Sequence, residues 1–307
     1  MLKWAGALIT ALACISCGGT AIGPTDVPPI APVPPGPGVP PPPPPPVPGL
    51  PQVFVGAGDI AQCDNNSQAT ARLLDTIGGT VFTLGDNAYS QGTRENFRAC
   101  YDPTWGRHKG RTRPTPGNHE YESPGAFPYF EYFGANAGPA GLGHYSFDLG
   151  SWHAIALNSN IPVNSASSQA AWLRTDLASH RPSRCTIAYW HHPLFSSGPN
   201  GPSVNMRDFW RILYEAGVDI VMNGHDHLYE RFAPQDPDGR PDPGRGIRQF
   251  TVGTGGAALY QFAAPGPNSE VRISAFGVLK LTLVSDGYDW EFVGVSGPLD
   301  SGAGTCH

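Results

Sequence analysis

Five short polar clusters, most of them directly after an apolar run, constrain this 307-residue chain more than any other feature. They read Gly58-Asp59, Gly85-Asp86-Asn87-Ala88-Tyr89, Gly117-Asn118-His119-Glu120, His191-His192-Pro193 and Gly224-His225-Asp226-His227. The apolar runs ahead of them are Val53-Phe54-Val55, Val81-Phe82-Thr83-Leu84, Thr186 to Trp190 and Asp219 to Met222. Short β-branched and aromatic runs of this kind suit strands buried on both faces. Between them lie stretches with helical spacing: Ser67 to Ile77, Ser168 to Leu177, and Asn205 to Ala216, which Gly217 stops. Strand–helix alternation predicts a layered α/β body. An open α/β sheet places its site past the strand ends, where these clusters stand.

Two further stretches read as antiparallel hairpins. Tyr145–Leu149 and Trp152–Leu157 flank Gly150-Ser151, and Phe276–Val284 and Tyr288–Val295 flank Ser285-Asp286-Gly287. No internal repeat is visible. The expected division is a signal segment over 1–17, a Pro-rich linker over 18–51 and one catalytic domain over 52–307.

The first segment has Lys3 followed by an apolar stretch, Trp4 to Ala13, too short to span a bilayer as a mature helix. Cys14 and Cys17 follow small residues, a pattern similar to bacterial lipoprotein signals, so either is a candidate for lipidation and a membrane tether. Neither lies in a full lipobox. The expected location is exported: periplasmic, cell-surface or extracellular. The linker, with its unbroken run Pro40–Pro46, cannot build a core and reads as an extended polyproline II spacer. Past the signal, Cys63, Cys100, Cys185 and Cys306 remain, an even number that suits pairing in an exported protein. Cys63 and Cys100 follow the first and second clusters, which favours Cys63–Cys100 and leaves Cys185–Cys306, although four cysteines allow three pairings. A net charge of −6 without any basic block disfavours nucleic acid as a partner.

The clusters supply carboxylate, phenol, amide and imidazole groups, a mixed oxygen and nitrogen set that suits zinc, iron or manganese better than calcium or magnesium. Asp86, on a turn after a strand, can bridge two cations about 3.5–4 Å apart. His225 and His227 are expected on one side of an extended backbone, with Asp226 turned away. Taken singly, each cluster has an ordinary structural reading as a turn aspartate, a half-buried tyrosine or a packed histidine. Five together point to a metal-dependent hydrolase. His108, His144, His153 and His180 fall outside the clusters and read as structural or surface residues. Glu120 reads as a support for the site rather than a ligand.

Asp59, Gly85-Asp86-x-x-Tyr89, Gly117-Asn118-His119-Glu120, His191 and Gly224-His225-x-His227 resemble the five signature blocks of the calcineurin-like metallophosphoesterase superfamily, and Tyr89 resembles the variant found in purple acid phosphatases. The resemblance runs from about Val53 to the turn Gly253-Thr254-Gly255-Gly256. It implies an α/β fold, a four-layer αββα sandwich of two mixed sheets flanked by helices. It implies a dinuclear metal centre: Asp59, Asp86, Tyr89 and His227 around a ferric ion, and Asp86, Asn118, His191 and His225 around a divalent iron, zinc or manganese. Metal-bound hydroxide would cleave phosphate monoesters, as in a metal-dependent acid phosphatase acting on a small phosphorylated substrate. His119 and His192 are the catalytic candidates, and Asn118, His119 and Asn200 the substrate contacts. The plant-type enzymes carry a histidine in the loop after the fourth block. Here that loop, Ser196 to Asn205, has none, and Asn200 is the nearest substitute. The rival readings are a phosphodiesterase or nucleotide hydrolase on the same site, and a surface protein that binds phosphate or metal without turnover.

Overall fold

The computed structural model describes residues 50–64, 66–180 and 185–307, all within the compact unit Pro42–His307. The signal segment, Cys14, Cys17 and the linker as far as residue 49 lie outside the described residues. Among the described residues no helix is long and apolar enough to cross a membrane.

In chain order the main elements are β1 (Gln52–Ala57), α1 (Asn66–Thr76), β2 (Thr80–Leu84), α2 (Arg94–Asn96), β3 (Thr112–Thr115), α3 (Asn118–Tyr121), α4 (Phe127–Phe133), β4 (Tyr145–Leu149) and β5 (Trp152–Ala156). There follow α5 (Ser168–Ser179), β6 (Cys185–Tyr189), α6 (Arg207–Glu215), β7 (Ile220–Asn223), β8 (Tyr229–Phe232), β9 (Arg248–Val252), β10 (Ser269–Ile273), β11 (Gly277–Val284), β12 (Gly287–Gly294) and β13 (Gly297–Thr305). One sheet has the order β13-β12-β11-β1-β2-β3, the other β10-β8-β9-β7-β6-β5-β4. Both are mixed. β1, β2 and β3 run parallel, as do β5, β6, β7 and β9, while hairpin partners complete each sheet antiparallel.

Period-two burial assigns the two faces of the second sheet. Ala154, Ile187, Tyr189, Ile220 and Met222 belong to the core shared with the first sheet, where Phe54 meets Tyr189 at a ring-centroid distance of 5.6 Å. Their neighbours Ile155, Ala188, Trp190 and Val221 turn the other way, into a second core with Leu173 of α5 and Phe209, Trp210 and Leu213 of α6. A strand buried on both faces needs no polar alternation, which is why these runs are continuously apolar. On the first sheet, Ala71 and Leu74 of α1 join the main core. The result is helix, sheet, sheet, helix. The disulfides Cys63–Cys100 and Cys185–Cys306 are both present. The aromatic stretch of α4 is mostly core, with Tyr129 and Phe133 buried and Phe127 exposed.

Candidate metal centre

All five clusters lie just past strand ends: β1, β2 and β3 in the first sheet, β6 and β7 in the second. The first two stay paired beyond their strands, with Asp59 N–H donating to Gly85 O at 3.0 Å and Ile60 N–H to Asp86 O at 2.9 Å. Asp59, Asp86 and His225 each adopt positive φ, at 59°, 50° and 73°. Few non-glycine residues do so, and aspartate tolerates it better than most. These tight turns aim three side chains back across the strand ends. Gly117 and Gly224 leave room for the carboxylates: a Cβ at Gly117 would overlap the Asp86 carboxylate, and one at Gly224 would lie 2.6 Å from Asp59 Oδ2.

The structure brings Asp59, Asp86, Tyr89, Asn118, His191, His225 and His227 together as two groups joined by Asp86. In the first, Tyr89 Oη lies 3.1 Å from Asp59 Oδ1, 3.2 Å from Asp86 Oδ2 and 3.0 Å from His227 Nε2. In the second, His191 Nε2 lies 3.0 Å from Asn118 Oδ1, 3.2 Å from Asp86 Oδ2 and 3.2 Å from His225 Nδ1. Backbone carbonyls set two tautomers. His191 Nδ1–H donates to Leu84 O at 2.7 Å and His227 Nδ1–H to Ala258 O at 2.8 Å, so Nε2 is the atom each ring presents inward.

His225 and His227 do not lie in extended backbone, contrary to the sequence expectation. His225 is left-handed, and Asp226 N–H and Leu228 N–H close tight turns onto Gly224 O and Asp226 O. The two imidazoles therefore diverge, His225 to the second group and His227 to the first. Asp226 does point away. Its buried carboxylate accepts the Ser196 hydroxyl and, at 3.0 Å, Asn200 N–H, fixing the loop after the fourth cluster.

Glu120 is fully buried, and its carboxylate is taken up by backbone donors. It accepts Asn87 N–H and Gly117 N–H at 2.8 Å each and Ala88 N–H at 3.1 Å, clamping the second cluster to the third. His119 stands half-exposed with its ring 4.5 Å from that of Tyr89; its Nδ1 bonds Ser90 O and its Nε2 faces Asp86 Oδ2 at 3.8 Å. His192 has Nδ1 2.7 Å from Ser159 Oγ and its ring 4.5 Å from that of His225. Asn200 is exposed, its Nδ2 donating to His225 O at 2.8 Å. The site thus grades from a buried floor (Asp59, Asp86, Tyr89, His191, His227) through half-exposed walls (Asn118, His119, His192, His225) to a rim at Asn200.

Electrostatics follow this gradient. Burial, then the Asp59 and Asp86 carboxylates, push the Tyr89 phenol well up. Burial opposes ionisation of Asp86, yet the imidazoles of His191 and His119 hold its carboxyl well below the usual range. His191 rises to about 9 because the Asp86 charge outweighs its burial. Burial and then His191 depress His225 to about 4 and His192 to about 2.

Proton counting tests whether this donor set fits metal. Tyr89 has one hydroxyl proton for three acceptors, and His191 Nε2 at most one for another three. Asp59, Asp86 and His191 each offer a ligand atom within 4.8 Å of the other two, as do His191, His192 and His225. Acceptors exceed protons in both groups, an arrangement that cations complete.

Several contributors are invisible to motif reading. They are the carbonyls of Leu84 and Ala258, Ser159 behind His192, and Tyr260, whose ring stacks on His227 at 4.1 Å.

The fold and the five clusters together define a metallophosphoesterase. The calcineurin-like phosphoesterase profile matches residues 51–229, and the chain belongs to that family. Among curated relatives it is 32% identical to Purple acid phosphatase 21 of Arabidopsis thaliana, over 76% of this chain and 57% of that protein. It is 29% identical to Purple acid phosphatase 22 of the same plant, over 74% and 56% respectively. The chain spans a little over half the length of these relatives. The purple acid phosphatase PPD1 from yellow lupin seeds has a similar fold, with a TM-score of 0.74 at 20% identity over 85% of this chain and 55% of that one.

Proposed function

We propose that this chain is an exported, dinuclear metal-dependent phosphatase that hydrolyses phosphate monoesters in the manner of purple acid phosphatases. The observation that carries this reading is the pair of acceptor-rich groups sharing Asp86, with Tyr89 in the first. Asp59, Asp86, Tyr89 and His227 would hold one metal, and Asp86, Asn118, His191 and His225 the other. Phenolate with carboxylates suits a ferric ion, and two imidazoles with an amide oxygen suit divalent iron, zinc or manganese. When bound, the pair supplies Lewis-acid activation of water and of a phosphoryl oxygen.

The chain's own groups do the rest. Leu84 O and Ala258 O keep His191 and His227 in the tautomer that faces inward. His119, with Nδ1 held by Ser90 O, turns Nε2 toward Asp86 at the half-exposed wall of the site, where it would bind phosphate or protonate the leaving oxygen. Ser159 Oγ–H occupies His192 Nδ1, so a neutral His192 would offer Nε2–H to a phosphate oxygen. Asn118 and Asn200 would complete the substrate contacts, Asn200 from the loop after the fourth cluster, which lacks a histidine. Both disulfides support the exported location, and a tether through Cys14 or Cys17 would hold the enzyme at a membrane.

The test compares hydrolysis of a nitrophenyl phosphate with its bis-ester by metal-loaded protein. Faster monoester turnover, abolished by chelation, is the expected result. Preference for the diester would reassign the substrate class. No turnover of any phosphate ester would leave a binding protein.

A further inference from the structure

A second group of metal-ligating side chains lies away from the strand ends. The β4–β5 register places Asp148 directly opposite His153, so both side chains rise from one face of the hairpin. Helix α5 finishes over that face, with Asp176 and His180 four residues apart and therefore adjacent. Asp176 Oδ2 accepts His153 Nε2–H at 2.7 Å, and its Oδ1 accepts Ser146 Oγ–H at 2.6 Å. This fixes the tautomer of His153, which is 1% exposed, and leaves its Nδ1 lone pair 3.4 Å from Asp148 Oδ1. His180 Nδ1–H donates to Asp176 O at 2.8 Å, Nε2 makes no hydrogen bond among the described residues, and the ring lies on that of His153 with centroids 3.8 Å apart. One donor atom from each of Asp148, His153 and His180 lies within 4.8 Å of the other two.

We infer that Asp148, His153 and His180 form a mononuclear site for a borderline divalent transition metal, zinc or copper, separate from the dinuclear centre. Two imidazoles and a carboxylate, with water in the fourth position, make a three-ligand set that zinc accepts. Copper and zinc stand at the top of the divalent series for such donors. Asp176 plays the outer part that metal-bound histidines commonly have, a carboxylate on the far ring nitrogen. The terminal carbonyls of α5 add negative potential at the same place. Bonds of about 2.0–2.2 Å require donors roughly 3–3.6 Å apart. Two stacked rings cannot both aim an in-plane lone pair at one ion, so binding requires His180, 36% exposed at the end of α5, to swing off His153, with Asp148, 65% exposed, closing from the hairpin side. His153 is the second residue of β5 and pairs with Thr186 near the start of β6, so the group sits at the strand starts, opposite the end that carries Asp86 and His191. A bound ion would tie the β4–β5 hairpin to the end of α5.

Metal-loaded protein with its native dinuclear centre is titrated with zinc chloride and the bound zinc counted after desalting. Wild type should take up one further zinc, with a rise in Tm. Asp148→Ala at an exposed position and His180→Ala at a half-buried one should each lose that zinc and its Tm shift while keeping wild-type turnover of nitrophenyl phosphate. Equal uptake by wild type and either variant overturns the site, as does the absence of further uptake by wild type, the result expected if a proton on His153 bridges Asp148 and Asp176 instead. The readout is zinc and Tm, so it stands or falls apart from the phosphatase reading.

Discussion

The Tyr89 hydroxyl lies 3.0 Å from His227 Nε2, joining clusters 138 positions apart in the chain. Neither atom has a proton to spare for every neighbour, since Asp59 and Asp86 face the same hydroxyl. Burial and both carboxylates keep the phenol protonated in the absence of a cation. A ferric ion would reverse that balance and bind phenolate. Tyr89→Phe keeps the buried ring and removes only the oxygen, so the fold should survive. The visible charge-transfer band of the metal-loaded protein should vanish from its absorption spectrum; a band that persists would place the chromophore on another residue.

Asp86 links the two groups, with Oδ2 toward both Tyr89 and His191 and Oδ1 accepting His119 N–H at 2.9 Å. Asp86→Ala should therefore release both metals rather than one, with turnover falling to background. Elemental analysis of the purified variant decides this, because retention of a single full equivalent would show that Asp86 serves one metal only.

Glu120 touches no substrate-facing atom, yet three backbone N–H groups depend on it. Glu120→Gln turns one acceptor oxygen into a donor facing those N–H groups. The loop carrying Asp86 and Tyr89 should loosen, and metal affinity should drop about 10–100-fold, as is typical for groups that orient ligands from behind. Equilibrium dialysis against zinc measures it. Unchanged affinity would reduce Glu120 to a packing role.

The parts legible in the sequence were those where chemistry and burial coincide. Asp59, Asp86, His191 and His225 follow strands buried on both faces, whose apolar runs mark their own ends. β3 was hidden because Pro114 interrupts it. Its place at the edge of the first sheet, after β2, is what makes a proline tolerable there. β13 was hidden because its sequence, GPLDSGAGT, has glycines where strands usually carry bulk. Gly302 and Gly304 lie against Trp290 and Tyr288, so the bulk comes from the neighbouring strand. The divergence of His225 from His227 was illegible for another reason. Period-two reasoning assumes extended backbone, and a left-handed residue breaks it.

The two disulfides should contribute unequally. Cys63–Cys100 spans 37 positions and Cys185–Cys306 spans 121. In the chain-entropy view the longer loop stabilises by about 1 kcal/mol more, each bond contributing roughly 2–4 kcal/mol. Urea midpoints of the Cys63→Ala/Cys100→Ala and Cys185→Ala/Cys306→Ala double variants test the order, the second being expected to unfold earlier. The reverse order would mean that the short bridge acts on the native loops beside Asp59 and Asp86 rather than on the unfolded chain.

Asp300 of β13 connects the two sheets. It accepts Tyr229 Oη–H at 2.7 Å and Arg231 Nε–H at 2.8 Å from β8, and Trp290 Nε1–H at 3.2 Å from β12. Burial opposes its charge, but Arg231 and Tyr229 outweigh burial and hold its carboxyl below the ordinary 3.8. A carboxyl with a depressed folded value adds stability above its unfolded value and loses it as pH falls through the folded one. Asp300→Asn should therefore cost about 1–2 kcal/mol near neutral pH, a figure reduced for partial exposure. The penalty should shrink steadily once pH drops below the ordinary carboxylate range, because the wild-type carboxyl is then protonated as well. Urea denaturation of both proteins from neutral to strongly acidic pH supplies the comparison. A gap that stayed constant across that range would mean that the charge of Asp300 contributes nothing and that shape alone joins β13 to β8.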